Sequence, residues 1–368
     1  MAMCAIFVSR QNKDEQLLRE SARVYTIALA QLNTALSNPS IRARDETLAA
    51  TMSLSLYETM GCIDPTGWQR HVKGMGLLVR LRGPEAHKTG LAHHLFCSFR
   101  AISLINSIVD RKRSFLASKE WRTIPWTNIP KTPHQDMQDL LLELPDILED
   151  QDTLPRTAYP SLLRQCLDLE ARLKAWYENF RRNYPGPPYW LEFSTLKIDP
   201  PVFPTCYQFA SVGVANTHTF YWANLILVYS TIVGLTPINQ PPIAAVGDTS
   251  DLAAQICMAV EYYISPGKKT YGPMLTLYPL RIAAECFKRL GARGAKSTLW
   301  CKAVFGILHS RGIALGSMLE KLRAWGFKGW GGRGFWERME EGWIESAGTE
   351  EWERRNVEEV GGGGGNNI

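Results

Sequence analysis

Between Pro160 and Pro185 the apolar residues Leu162, Cys166, Leu169, Leu173, Trp176 and Phe180 recur at spacings of 4, 3, 4, 3 and 4. That repeat places all six on one stripe of an α-helix, whereas a strand would scatter them over both faces. The same period returns along the chain. Trp68, Val72, Met75 and Val79 form a second stripe, with Thr66 as its N-cap and Gly83-Pro84 as its stop. Ala49, Met52, Leu56 and Met60 form a third, entered at Asp45 and closed by Gly61. Leu252, Ile256, Val260 and Tyr263 form a fourth, ended by Ser265-Pro266-Gly267. Further helices are expected over 14–36, 91–110, 273–290, 297–310 and 313–325. Strand-type alternation is hard to find. The fold expected is all-α, a superhelical array of about ten antiparallel helices with an acidic, flexible C-terminal tail.

Two stretches need separate arguments. From Pro200 to Gly247 there is no charged residue, and Phe220 to Leu235 is strongly apolar. A membrane span needs about 20 consecutive apolar residues. Here Asn216, Thr217, His218, Thr219 and Asn224 interrupt the run and Pro204 and Pro237 flank it, so a buried central helix is expected and no membrane. The stretch from Trp121 to Tyr159 is rich in proline. It carries an acidic strip of Asp136, Asp139, Glu143, Asp146, Glu149, Asp150 and Asp152. A short surface helix between irregular connections is expected there.

Charge divides the chain. The total is +5, from 41 basic and 36 acidic side chains, too mild to imply nucleic-acid binding alone. Residues 336–368 hold nine glutamates and three arginines, a net −6, which leaves +11 on the rest. A glycine-rich run at 326–334 separates the two. Three parts are therefore expected: an N-terminal segment 1–13, a helical body 14–325, and a linker with acidic tail 326–368. Trp336, Trp343 and Trp352 recur among the tail's glutamates, a mix that suits either a solubilising tail or docking on a coactivator.

No chemistry is announced. The closest of the eight cysteines, Cys286 and Cys301, lie fifteen positions apart, so no local CxxC site exists and reduced thiols inside a cell are expected. Gly329, Gly331 and Gly334 spell G-x-G-x-x-G but follow a helix rather than a strand. His87, His93, His94 and Cys97 cluster without an acidic partner, which reads as a polar helix start rather than a metal site. Arg111-Lys112-Arg113 closes a helix near Asp110, where cations suit the helix dipole, with phosphate contact or nuclear import as the sharper alternative. No nucleophile, phosphate-loop or zinc-protease motif occurs, so no catalytic residue, metal or cofactor is expected and the chain is not read as an enzyme.

Within the second stripe, Trp68, His71, Gly74 and Leu81-Arg82-Gly83-Pro84 spell W-x-x-H-x-x-G…L-x-R-G-P. Leu95-Phe96…Arg100 and Phe115-Leu116-Ala117…Trp121…Pro125-Trp126 follow. In this order the chain resembles the regulatory domain of fungal zinc-cluster transcription factors, the fungal-specific transcription factor domain, over most of 14–325. Supporting pieces are Asp45 to Ala50, Leu56-Tyr57-Glu58, Phe220-Tyr221-Trp222, Ala283 to Cys286 and Arg311-Gly312-Ile313. The resemblance implies a helical domain that controls transcription in the nucleus, often of a metabolic or secondary-metabolite gene cluster. It also implies protein partners, either a DNA-binding regulator or a coactivator, and a small-molecule effector, for which the apolar 203–235 core is the expected pocket. Full-length members carry six closely spaced cysteines ahead of this domain. Cys4, Cys62 and Cys97 are too widely spaced to stand in for them, so no direct specific DNA binding by a zinc cluster is expected. The chain then reads as a truncated or reduced form that lacks the front of the domain. The alternatives are a scaffold or enzyme accessory to a biosynthetic pathway, and a non-functional remnant.

The motif residues themselves read as structural. Trp68 opens a buried stripe, His71 is a packing histidine bonded to a neighbour, and Gly74 lets another helix approach. Arg80 and Arg82 fall in the last helical turn, and Gly83-Pro84 ends it.

Overall fold

Every one of the four stripes is a helix in a computed structural model of the chain, which describes residues 2–61, 67–237 and 249–316. Among these residues the helices are, in chain order, α1 (Ala2–Asn12), α2 (Glu15–Ser37), α3 (Asp45–Gly61), α4 (Gly67–Arg82), α5 (Gly90–Asp110), α6 (Lys119–Thr123), α7 (Pro133–Leu141), α8 (Leu144–Thr153) and α9 (Tyr159–Asn183). A two-stranded sheet of β1 (Tyr189–Phe193) and β2 (Thr205–Phe209) comes next, followed by α10 (Val212–Leu235), α11 (Thr249–Ile264), α12 (Tyr271–Arg289) and α13 (Ala295–Ser310). The all-α expectation holds. The expected N-cap Thr66 and residues 317–325 of the last expected helix lie outside the described residues.

The helix starts follow local chemistry. Asp14 accepts from the Leu17 amide at 2.9 Å and Ser211 from the Val214 amide at 3.2 Å, which satisfies donors that have no partner inside the first turn. Gly83 closes α4 at φ +74°, a conformation that strains any residue with a Cβ.

The charge-free run becomes α10, the centre of the molecule. Almost every residue from Val214 to Ile232 is buried, and the helix packs against α7, α9, α11 and α12. Its hydroxyl and amide side chains are absorbed locally: Thr219 and Thr231 donate to carbonyls four residues back, and Asn224 donates to the Phe220 carbonyl at 2.8 Å. No described helix is long and apolar enough to cross a membrane.

The structure adds to the expectations at three places. The proline-rich acidic stretch is not one short surface helix. It forms α7 and α8, which put Met137, Leu141, Leu144, Ile147 and Leu148 into the main core and turn most of the carboxylates to its edge, where Asp139 pairs with the buried Arg100. The hairpin of β1 and β2, antiparallel with Leu191 opposite Tyr207, was not expected at all. Residues 2–12, set apart as a terminal segment in the sequence reading, form α1, which packs on α2 and α3 through the fully buried Ile6.

The apolar interior has two parts. A main cluster takes in Leu48 of α3 and runs on from α4 to α13. A smaller one joins Ile6, Tyr25, Leu32, Leu54, Tyr57 and Met60 of α1, α2 and α3.

Candidate functional site

The motif helix α4 is held at both ends and in the middle. Near its start Trp68 is buried in the main core beside Val72 and Met75. One turn on, His71 faces α2, where its Nε2 lies 3.0 Å from the Tyr25 hydroxyl. That hydroxyl is also 2.5 Å from Oε1 of the buried Glu58 on α3 and donates to it. A hydroxyl that donates to a carboxylate has only lone pairs left, so His71 donates through Nε2–H. Burial holds the His71 pKa below its usual value, partly offset by the Glu58 charge. Tyr25 also stacks on Tyr57 with ring centroids 4.1 Å apart, and the Tyr57 hydroxyl sits 3.0 Å from Ser21 Oγ. The chain Ser21–Tyr57–Tyr25–Glu58/His71 thus ties three helices together. The expected neighbour for His71 exists, though only the fold identifies it.

At the other end Arg82 forms an ion pair with Asp45 in the first turn of α3. The Arg82 side chain is 6% exposed, so its role is to join helices rather than to sit in solvent near the helix dipole. Arg80 does stay exposed and lies over the Phe115 ring at 5.5 Å. Pro84 begins a short 3-10 turn, Pro84–His87, that leads the chain towards α5. Gly74 has another role than expected. A Cβ there would meet nothing within 4 Å, whereas at Gly67 it would lie 2.8 Å from Glu58 Cδ, so the close approach on α4 is made at Gly67.

The later motif residues gather around Phe96 of α5. Trp121 lies 5.7 Å and Trp126 6.0 Å from the Phe96 ring, with Phe115 5.1 Å from Trp121 and Pro125 buried beside them. Beneath Trp126 the Arg100 guanidinium, 2% exposed, stands 5.1 Å from the ring. It donates to Gln135 Oε1 at 2.8 Å and pairs with Asp139, which also holds Lys131. A buried cation is tolerated because a carboxylate, an amide oxygen and a ring face surround it.

His87 and His93, which the sequence groups with His94 and Cys97, bond to carbonyls instead. His87 Nδ1 contacts Ala92 O at 3.2 Å and His93 Nδ1 contacts His87 O at 2.9 Å, while His94 is exposed. Among the described residues no three His, Cys, Asp or Glu side chains come together as metal ligands. The basic tripeptide is also engaged. Arg111 binds Asp152 at 2.7 Å, Lys112 binds Glu149 at 3.0 Å and Arg113 binds Asp150 at 2.5 Å, so the end of α5 is matched to the acidic side of α8.

A second polar centre was missed in the sequence. His218 on α10 is fully buried among the rings of Tyr177, Phe180, Tyr189, Phe209 and Trp222. Trp222 Nε1 donates to the Tyr177 hydroxyl at 3.1 Å, and that hydroxyl lies 2.8 Å from His218 Nδ1. Burial pulls the His218 pKa down to about 3, so the ring is neutral. Only the interruption of an apolar run by Asn216-Thr217-His218-Thr219 hinted at it.

A cavity of about 690 Å³ opens between α1, α2 and α3. It is lined by side chains of the smaller apolar cluster, not by the 203–235 segment expected to hold a pocket. The glycine motif at 329–334 and the tryptophans of the tail lie outside the described residues.

A family model described as the fungal specific transcription factor domain matches residues 1–257. The chain belongs to that family. The fungal specific transcription factor domain here takes in α1 to α10, the whole motif order from Trp68 to Trp126, and the first half of α11. It begins ahead of residue 14 and ends short of 325, the limits expected from the motifs alone. Over 123 residues the chain is 29% identical to an uncharacterized protein of Emericella nidulans, AN5342, a match that covers 33% of this chain and 26% of the relative. The match therefore spans about a quarter of that relative's length. No solved structure matches the chain.

Proposed function

We propose that this chain regulates transcription of a metabolic or secondary-metabolite gene cluster in the nucleus. It acts through contact with a protein, either a DNA-binding regulator or a coactivator, and responds to a small effector. The observation that carries the reading is the family match over residues 1–257. Two features support action by protein contact. The basic tripeptide that could have met phosphate is neutralised by α8, and the described residues hold polar networks that lock helices rather than expose reactive groups. The chain is read as a non-enzyme on the strength of that family match.

Deleting the gene and tagging its product test the proposal together. The tagged chain is expected in the nucleus, and transcripts of one gene cluster are expected to shift on deletion. Unchanged transcripts with accumulation of a pathway intermediate would overturn it in favour of an accessory pathway protein.

A further inference from the structure

The hairpin leaves one sheet edge open. The Ser194 amide donates to Pro204 O at 2.9 Å and the Ala210 amide to Pro188 O at 3.1 Å, which marks the hydrogen-bonded pairs at its two ends. Such pairs recur at every second residue. Within β1, Trp190 and Glu192 therefore turn their N–H and C=O groups to β2, while Tyr189, Leu191 and Phe193 turn theirs away. Among the described residues no backbone group bonds to that outer edge. Phe193 O takes a long contact of 4.0 Å from Cys206 Sγ, which leaves the carbonyl its other lone pair.

Exposed edges are normally blunted by lysine, proline, a bulge or a covering segment. The strand β1 has none of these. Its five residues pair one for one with Thr205–Phe209, without a bulge, and include no lysine or proline. Its apolar side chains are open to solvent, with Trp190 44%, Leu191 58% and Phe193 87% exposed. The strand is also held in its extended form. Just past its end Glu261 of α11 accepts from the Ser194 hydroxyl at 2.6 Å and from the Thr195 amide at 2.9 Å, and at its start the Tyr189 ring packs edge-on to Trp222. An edge fixed in this way needs little further ordering when another strand adds to it.

We infer that β1 docks a second copy of this chain, the two β1 strands joining antiparallel into a four-stranded sheet about a two-fold axis at Leu191. The strand's own sequence selects this occupant and register. Outward residues pair only with outward residues, so the register moves in steps of two. One step in one direction sets Glu192 opposite the second copy's Glu192, and like charges directly opposite are destabilising. One step in the other sets Phe193 opposite the second copy's Pro187, which has no N–H to give. The register centred on Leu191 overlaps all five residues: Leu191 faces its equivalent, Phe193 faces Tyr189, and Trp190 faces Glu192. Trp190 Nε1 donates to Glu192 Oε1 at 2.9 Å within one chain, and in the pair the same bond can be made across the axis. The strand's one charge thus meets a donor rather than its like. A two-fold pair uses up both open edges, so assembly closes at the dimer. Five residues a side fall short of the roughly 800 Å² per partner of a standard interface, which sets the expected Kd on the order of 10 μM. The pairing goes beyond the regulatory reading and does not depend on it.

Sedimentation equilibrium of the full chain from about 1 to about 200 μM tests the pairing. The wild-type chain is expected to pass from monomer to dimer across that range and no further. Leu191→Pro removes an N–H that faces the open edge and is not used by β2, so the hairpin stays while pairing is expected to weaken at least about tenfold. Leu191→Lys and Leu191→Glu, at the same exposed position, each place like charges across the axis and are each expected to stay monomeric. An equimolar mixture of the two places a cation opposite an anion and is expected to restore the dimer, which also shows that both variants are folded. Circular dichroism checks the fold of Leu191→Pro. A wild-type chain that stays monomeric overturns the inference and leaves the edge to a strand of another protein. A dimer indifferent to all three substitutions, or growth beyond the dimer, overturns it as well. Loss of the dimer in both charged variants without rescue on mixing overturns the two-fold pairing at Leu191.

Discussion

At the scale of single residues the buried polar groups set how the domain responds to pH. His218 is enclosed by five aromatic rings and kept neutral, with a pKa near 3 in the folded chain against about 6.5 when unfolded. The unfolded state therefore binds the extra proton throughout that interval. Stability contributed by the neutral ring is fully present above pH 6.5 and is lost as pH falls towards 3. Between pH 7 and pH 5 this one residue should cost about 2 kcal/mol of unfolding free energy. Urea unfolding at the two pH values measures it. The His218→Phe chain should lose about that much of the pH dependence, whatever its absolute stability, and an undiminished dependence would mean that the ring is not buried neutral. The site also shows what a sequence can and cannot disclose. Trp68, Val72 and Met75 were legible as core because a helical period is a local property. The Tyr25–Glu58–His71 network joins residues 33 and 46 positions apart on three helices, and no local pattern carries that pairing.

At the scale of elements, long helices were legible from their stripes, caps and stops, and short ones were not. The helices α7 and α8 were hidden by prolines at their first turns and by the density of carboxylates, although Met137, Leu141, Leu144 and Leu148 keep a helical period beneath them. The hairpin was hidden for a different reason. Most of β1 is exposed, and its Tyr-Trp-Leu-Glu-Phe sequence lacks apolar alternation, so nothing marked it as half-buried. Glycines separate motif from necessity. Gly74 belongs to the recurring motif, yet a Cβ there meets open space, so Gly74→Ala should stabilise α4 by about 0.5–1 kcal/mol through helix propensity. Gly294 belongs to no motif noted in the sequence, yet a Cβ would fall 1.8 Å from the Phe287 carbonyl oxygen at the turn between α12 and α13. Gly294→Ala should cost about 2 kcal/mol or more because backbone must move. Thermal and urea unfolding of the two single variants checks the opposite signs. A destabilising Gly74→Ala would mean that another molecule packs on that face of α4.

At the scale of the whole molecule the two apolar clusters set an order of stability. The main cluster surrounds α10 from several sides, while the smaller one holds α1 and α2 with few buried apolar side chains and borders an open cavity of about 690 Å³. Leu36 of α2 and Met274 of α12 pack against both clusters, and the Arg82–Asp45 and His71–Tyr25 contacts join α4 to the smaller unit. Of this unit α1 and α2 are expected to open before the rest, because few of their apolar side chains are buried, whereas α3 also places Leu48 in the main cluster. Amide hydrogen exchange followed in low, rising urea should therefore resolve two levels. The amides of α2 should exchange at a free energy clearly below that of α10, with a shallow urea dependence, while those of α10 exchange only through global unfolding and carry its full dependence. If both helices shared one free energy and one slope without denaturant, the molecule would be a single cooperative unit. The α1–α3 unit would then have no independent opening. The Tyr25 hydroxyl, bonded to both Glu58 of α3 and His71 of α4, is where the weaker unit meets the motif helix.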